Sequence, residues 1–364
     1  MQAFDKHYDS NERMIIVRDV EEARLVLGSQ NFIVPDLGSY LAKLEAATDE
    51  SFTFTKLFIN VSPFFLEGAR HSELRALAMQ FFEPKNITLW DEFLQHTIMQ
   101  ILHNMQGKKE LDLVSEIAMP VFLDIAQPML GLKPTEPEFF FHKAMKLQQL
   151  VEPMQSLKRI KQFESDLARL VNGLEPRHKQ LNSISHVHTL PSFMTMMAEK
   201  TMMDEHTLNA FTITMFAAIA PLAQTAVNML AYIYTHHDGI APNEDEFHGA
   251  FDIYLAKATA PKYIHRTALV DHYVGDKSVT AGKTVLIDMQ ALAGDAIPGM
   301  ACPHRMPFGL GQHFCVGSAL SKKVLKILVP LFIKQYPRLK LGQAQRNDAN
   351  LIAHEFLSFC VTPE

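Results

Sequence analysis

Between Leu208 and Thr235 the chain carries no Asp, Glu, Lys or Arg. A run of that length is either a membrane span or a helix buried nearly all round in a large core, so it restricts the folds open to the chain. Asn209, Thr212, Thr214, Pro221, Gln224, Thr225 and Asn228 interrupt it, and no flanking Lys/Arg cluster supplies an orientation. The expectation is therefore a core helix of a soluble protein with no membrane span. The remaining chain can supply that core: 364 residues, 48% hydrophobic and 20% charged, exceed what one small domain needs. With 34 Lys+Arg against 40 Asp+Glu the net charge is −6, which argues against broad binding to nucleic-acid phosphates. The stretch from Met1 to Ser10 lacks the basic-then-apolar pattern of an export signal. Three late cysteines, Cys302, Cys315 and Cys360, do not make a disulfide framework, so a cytoplasmic setting is expected.

Apolar residues at three- and four-residue spacing predict helices around 20–27, 71–83, 89–105, 114–131, 137–152, 154–172, 205–235, 244–257 and 316–335. Strand signals are short: 14–17, 267–274, 278–279, 284–289 and 356–361. No repeat or low-complexity linker divides the chain. The reading is one domain over 1–364, mainly α with a small β-rich portion, as a helix-rich lobe and a smaller β-containing lobe.

The chemistry concentrates in Pro307-Phe-Gly-Leu-Gly-Gln-His-Phe-Cys-Val-Gly317, followed by a helical pattern from Ser318. Glycines at 309, 311 and 317 permit sharp turns and close approach of backbone to a flat object. A cysteine just ahead of a helix N-terminus has its thiolate favoured by the helix dipole, as a metal-ligating sulfur requires. From the residues alone three readings stand: a small buried cysteine in a tight loop, a zinc site pairing Cys302 and His304 with His313 and Cys315, or a haem ligand.

The pattern Phe308-Gly-x-Gly-x-His-x-Cys-x-Gly317 resembles the haem-binding loop of the cytochrome P-450 superfamily at every defining position. Three further segments are similar to that family. They are Phe64 to Ala78, which carries His71 and Arg75 four apart on one helical face, Met119 to Leu132, and Pro261 to Leu269 with Arg266. The resemblance implies a cytochrome P-450-like haem-thiolate fold binding haem b, iron protoporphyrin IX. Cys315 would be the iron ligand and Phe308 its neighbour, with His71, Arg75, Arg266 and His313 on the propionates. The charge-free run is placed as the helix crossing the distal face of the haem, with Thr225 and Gln224 as its catalytic pair.

Two departures stand out. The family commonly reads Gly-x-Asp/Glu-Thr where this chain has Leu222-Ala-Gln224-Thr225, and an amide does not relay protons as a carboxylic acid does. The family's Glu-x-x-Arg ion pair falls on Tyr254-Leu-Ala-Lys257, and the meander that would supply its third partner does not fit between Ala296 and Pro307, so Arg305 is the candidate replacement. The resemblance implies a monooxygenase that oxidises a hydrophobic or carrier-bound small molecule in secondary metabolism. Its electrons would come from a ferredoxin- or flavodoxin-type donor, with Lys322, Lys323 and Lys326 as a docking face. Gln224 and Leu222 keep two alternatives open: peroxide-driven, rearranging or dehydrating haem chemistry, or a non-catalytic haem-binding or recruitment protein.

Overall fold

The computed structural model describes residues 14–152, 155–175, 190–294 and 306–364. By their internal contacts these fall into two compact units: Val34–Phe93 with Phe122–Ala220, and Leu94–Val121 with Pro221–Glu364 and the segment ending at Ile33. The fold is mainly α with small sheets, as the apolar spacing predicts.

The unit built on Val34–Phe93 and Phe122–Ala220 is helical. Its core is aromatic: Phe193 stands edge-on to Phe81 and to Phe211, at centroid distances of 5.6 and 5.2 Å, and Phe122 packs on Phe216 at 4.2 Å. The helix Leu157–Asn172 buries Ile160, Phe163, Leu167, Leu170 and Val171, a stripe at helical spacing. It also fastens a neighbour. The helix Thr53–Val61 begins at Phe52, which has no capping oxygen, and Glu164 takes that role by accepting from Phe54 N at 2.9 Å, Thr55 N at 2.7 Å and Thr55 Oγ1 at 2.8 Å.

The other unit holds the sheets. Met14–Val17, Thr284–Asp288, Tyr263–Ala268 and Phe32–Ile33 lie side by side in that order, the first pair parallel and the rest antiparallel. Val17, Val285, Ile287, Phe32 and Val274 pack with Ala23 and Val26 of the helix Val20–Gly28 into one apolar cluster. A second sheet orders Leu111–Asp112, Phe356–Pro363 and Leu339–Arg346, and His272–Val274 pairs with Lys277–Val279 in a hairpin.

Two expectations need correction, and one strand was not expected. The strand read over 267–274 is two, because Leu269 leaves the ladder to donate its N–H to Asn31 O and a break follows before His272. Met289 opens a helical turn rather than ending a strand, since Asp288 caps Gln290 N and Ala291 N. Leu339–Arg346, with mostly exposed polar side chains, is a strand because Phe356–Pro363 pairs with it.

The charge-free run lies in one helix, Glu205–His236. From Leu208 to Tyr234 its side chains are buried, apart from half-buried Ala218, Pro221 and Tyr232. The apolar stretch that has the length of a membrane span is 89% buried in the fold, as in a core helix. Several of its polar groups are satisfied: Thr212 and Thr214 donate to the carbonyls of Leu208 and Ala210 one turn back, and Asn209 donates to Val171 O. Pro221 cannot donate to Ala217 O, and Gln148 Nε2 reaches that carbonyl at 3.4 Å.

Candidate functional site

Gly309 and Gly311 have φ of +72° and +74°, which side chains rarely adopt. A Cβ on Gly311 would lie 2.4 Å from Leu27 O, so this loop presses its backbone on the end of the helix Val20–Gly28. Cys315 N donates to Phe308 O at 3.0 Å and Phe314 N to Gly311 O at 3.0 Å, closing the loop on itself. Cys315 is half-buried. The helix Ser318–Gln335 starts three residues later, and its N-cap Gly317 supplies no side-chain acceptor. Phe308 meets Phe314 edge-on at 6.2 Å, and the Lys322 ammonium lies 5.7 Å from the Phe308 ring centre.

The segment from Ala258 to Arg266 links this loop to the long helix. Thr259 Oγ1 donates to Pro307 O at 3.4 Å, and Ile264 Cδ1 lies 3.4 Å from where a Gly309 Cβ would be. Toward the helix, Ala260 N donates to Thr225 Oγ1 at 3.1 Å, and Asn228 Nδ2 donates to Ala258 O at 3.2 Å and His354 O at 3.0 Å. His354 N completes the knot by donating to Ala260 O at 2.6 Å. The Thr225 oxygen is thus an acceptor for backbone while its own proton can still be donated. Gln224 is 6% exposed, and its Oε1 accepts no hydrogen bond among the described residues.

Arg266 is 6% exposed on the strand Tyr263–Ala268, and its Nη1 donates to His265 O at 2.8 Å. Alternation along the strand puts His265 on the opposite face. Burial, with the guanidinium next to it, pushes the His265 pKa down to about 4. His313 is half-buried in the tight turn Gly311–His313.

The structure therefore brings Cys315, Phe308, His313, Arg266, Thr225 and Gln224 into one unit. His71 and Arg75 belong to the other, on the helix Gly68–Phe82, His71 being 2% exposed and Arg75 half-buried one turn on. Where the family's ion pair would begin, Tyr254 is buried, bonds through its hydroxyl to His237 Nε2 at 3.2 Å and stacks on Phe247. Cys302, His304, Arg305 and the shortened meander fall within 295–305, outside the described residues. Among the described residues no three His, Cys, Asp or Glu cluster as metal ligands would. The contacts of Asn228 and His354 with this segment were not legible in the sequence. The only signal for Asn228 was an amide inside a charge-free helix, and His354 had none.

No family model matches the chain. Individual proteins do. A biotin biosynthesis cytochrome P450 of Bacillus subtilis is 21% identical over 289 residues, 75% of this chain and 72% of its own length. The mycinamicin VIII C21 methyl hydroxylase of Micromonospora griseorubida is 21% identical over 302 residues, 76% of this chain and 73% of its own. Among solved structures, P450BioI with a hexadec-9Z-enoic acid-ligated acyl carrier protein superposes with a TM-score of 0.79 at 19% identity, covering 96% of this chain and 92% of that one. Epothilone D-bound cytochrome P450epoK gives 0.75 at 16% identity, covering 100% and 96%. The cofactor implied by this fold is a haem. The chain thus has the fold of cytochrome P450 structures along nearly all its length and resembles cytochrome P450 sequences over about three quarters of it.

Proposed function

We propose that the chain is a single-domain, soluble, cytoplasmic haem-thiolate monooxygenase of haem b, acting on a hydrophobic or carrier-bound small molecule. The observation that carries this reading is the cysteine loop: a half-buried thiol at an uncapped helix N-terminus, on a backbone that tolerates no Cβ at Gly311. Such a sulfur is poised as an anionic ligand, and buried Arg266 supplies a planar cationic fork suited to a carboxylate. This donor set fits a haem. Cys315 would ligate it beside Phe308, and Arg266 and His313 would hold its carboxylates. His71 and Arg75 are assigned to it by the resemblance of their segment. When bound, the haem supplies thiolate-supported activation of an oxidant.

The protein's own groups govern protons and access. Thr225 can donate its hydroxyl proton while its oxygen stays pinned by Ala260 N. Gln224 can hold a donor on its unpartnered Oε1 but cannot deliver a proton as an acid does. That favours a second reading within the class: oxidation driven by peroxide, or rearrangement or dehydration without dioxygen cleavage. Electrons for the first reading would come from a ferredoxin- or flavodoxin-type donor meeting the face of Lys322, Lys323 and Lys326. The structure with a hexadec-9Z-enoic acid-ligated acyl carrier protein among the similar proteins supports an apolar, carrier-bound substrate.

The test is an absorption spectrum of purified protein. A red-shifted Soret band of the ferrous carbonyl complex, lost in Cys315→Ser, is expected, and a colourless protein overturns the reading. Product formation with reduced ferredoxin, compared with hydrogen peroxide, then separates the two oxidation routes, and a haem protein that turns over with neither is a binder.

A further inference from the structure

The tripeptide Ala258-Thr259-Ala260 is hydrogen-bonded to two elements at once. Thr259 directly follows the helix Glu244–Ala258, and Pro261 restricts Ala260 to extended backbone, so the helix cannot run on. The Ala258 carbonyl and the Ala260 N–H are therefore left over from helix pairing. The helix Glu205–His236 takes up both: Asn228 Nδ2 donates to Ala258 O at 3.2 Å, and Thr225 Oγ1 accepts from Ala260 N at 3.1 Å. Between these two peptide groups stands the buried side chain of Thr259. Its hydroxyl donates to Pro307 O, at the start of the cysteine loop.

Three successive carbonyls open that loop. Met306 O accepts from Gly309 N at 2.9 Å and Phe308 O accepts from Cys315 N at 3.0 Å, both from within the loop. The middle one, Pro307 O, takes its donor from Thr259 at 3.4 Å. Thr259 and Pro307 line one crevice with Met289, Leu292 and Met306, so this long hydrogen bond is made in apolar surroundings, where it is stronger than in water. A shift of Pro307 moves Phe308, the next residue, and with it the carbonyl that receives the Cys315 N–H.

We propose that Thr259 is a positioning residue for Cys315: its hydroxyl fixes the start of the cysteine loop, and its flanking peptide groups tie that loop to Thr225 and Asn228. A change at Thr225 is then felt at the sulfur through a continuous chain of bonds. This rests on the haem-thiolate reading, so the test uses full-length, haem-loaded protein that already shows the thiolate-type ferrous carbonyl band. Thr259→Val removes the donor and keeps the shape, whereas Thr259→Ser keeps the donor. In mild urea the half-life of the band is expected to shorten roughly fivefold in Thr259→Val, the factor of one ordinary hydrogen bond, and to return to the wild-type value in Thr259→Ser. The ferric–ferrous midpoint potential should shift in the first variant and not in the second. Thr259→Ala, smaller and also without the donor, should match Thr259→Val in both readouts. Thr225→Val, which removes the acceptor of Ala260 N, should also shorten the half-life, but by much less in the Thr259→Val background, where the tie is already broken. Thermal melts show which variants are folded. A band and potential unchanged in folded Thr259→Val or Thr259→Ala, an equal loss in Thr259→Ser, or additive effects of Thr225→Val and Thr259→Val overturns the proposal. Each of these leaves the wild-type spectrum, and so the haem reading, intact.

Discussion

Gln224 Oε1 is a buried carbonyl oxygen without a donor among the described residues, and the sequence resemblance would place it where the family commonly carries an acid. An unsatisfied buried acceptor costs about 1–3 kcal/mol. Restoring an acid at that position should restore proton delivery. Gln224→Glu is expected to raise product formed per electron consumed by roughly tenfold or more, within the usual span of general-acid effects. Unchanged coupling would displace Gln224 from its assigned role. Gly311 makes the complementary case. With φ at +74° and Leu27 O at 2.4 Å from any Cβ, Gly311→Ala should cost about 2–3 kcal/mol and release haem during gel filtration. Stability within ~0.5 kcal/mol of wild type, read from urea melts, would show that the loop is softer than its geometry implies. Both residues stand out in the sequence, one by departing from a pattern and one by matching it. His354 does not, because the partners of its backbone, Ala260 and Asn228, are distant along the chain.

Helix ends show what sequence can and cannot reveal. Asn243 followed by Glu246 is a local capping box, and it forms: the Asn243 side chain accepts from Glu246 N while the Glu246 side chain accepts from Asn243 N. The helix Thr53–Val61 has no local cap and borrows Glu164. Glu164→Ala should therefore cost about 2 kcal/mol, more than an ordinary cap, since three donors lose their acceptor together. Differential scanning calorimetry checks this, and a shift smaller than that of Asn243→Ala would contradict it. The helix Glu244–Ala258 keeps its face covered at Tyr254, where the resemblance would place the family's ion pair. Tyr254 fills the position with an aromatic stack and a bond to His237, for which the sequence offered only the missing charges. The strand Leu339–Arg346 was similarly hidden, because it exists through its pairing with Phe356–Pro363 and not through alternation of its own.

At the scale of the whole molecule, acid is the informative stress. His265 and His354 both have pKa values pushed from 6.5 down to about 4, chiefly by burial. Between those limits the unfolded chain binds protons that the folded one does not, so stability must fall as pH drops from 6.5 toward 4 and stay level with respect to these groups above 6.5. Carboxylates held below their usual range, such as Asp36 bonded to Ser39 and Glu136 bonded to Arg169, act lower, beneath 3.8 and 4.5 respectively. Urea midpoints from pH 7.5 to 4.5 should thus decline, and more shallowly in His354→Phe. A flat wild-type profile would mean that the rings are solvated. What the sequence alone determined is local or periodic: a long core helix from an uncharged run, a mainly helical fold from spacing, and a cysteine loop whose glycines and neighbouring helix are contiguous. Only the tertiary structure decided which groups meet across the chain, namely Thr225 on Ala260, Asn228 on Ala258 and Glu164 on a distant helix end. These pairings depend on burial and on backbone donors left over once the helices and strands are made, and no short window of sequence records either.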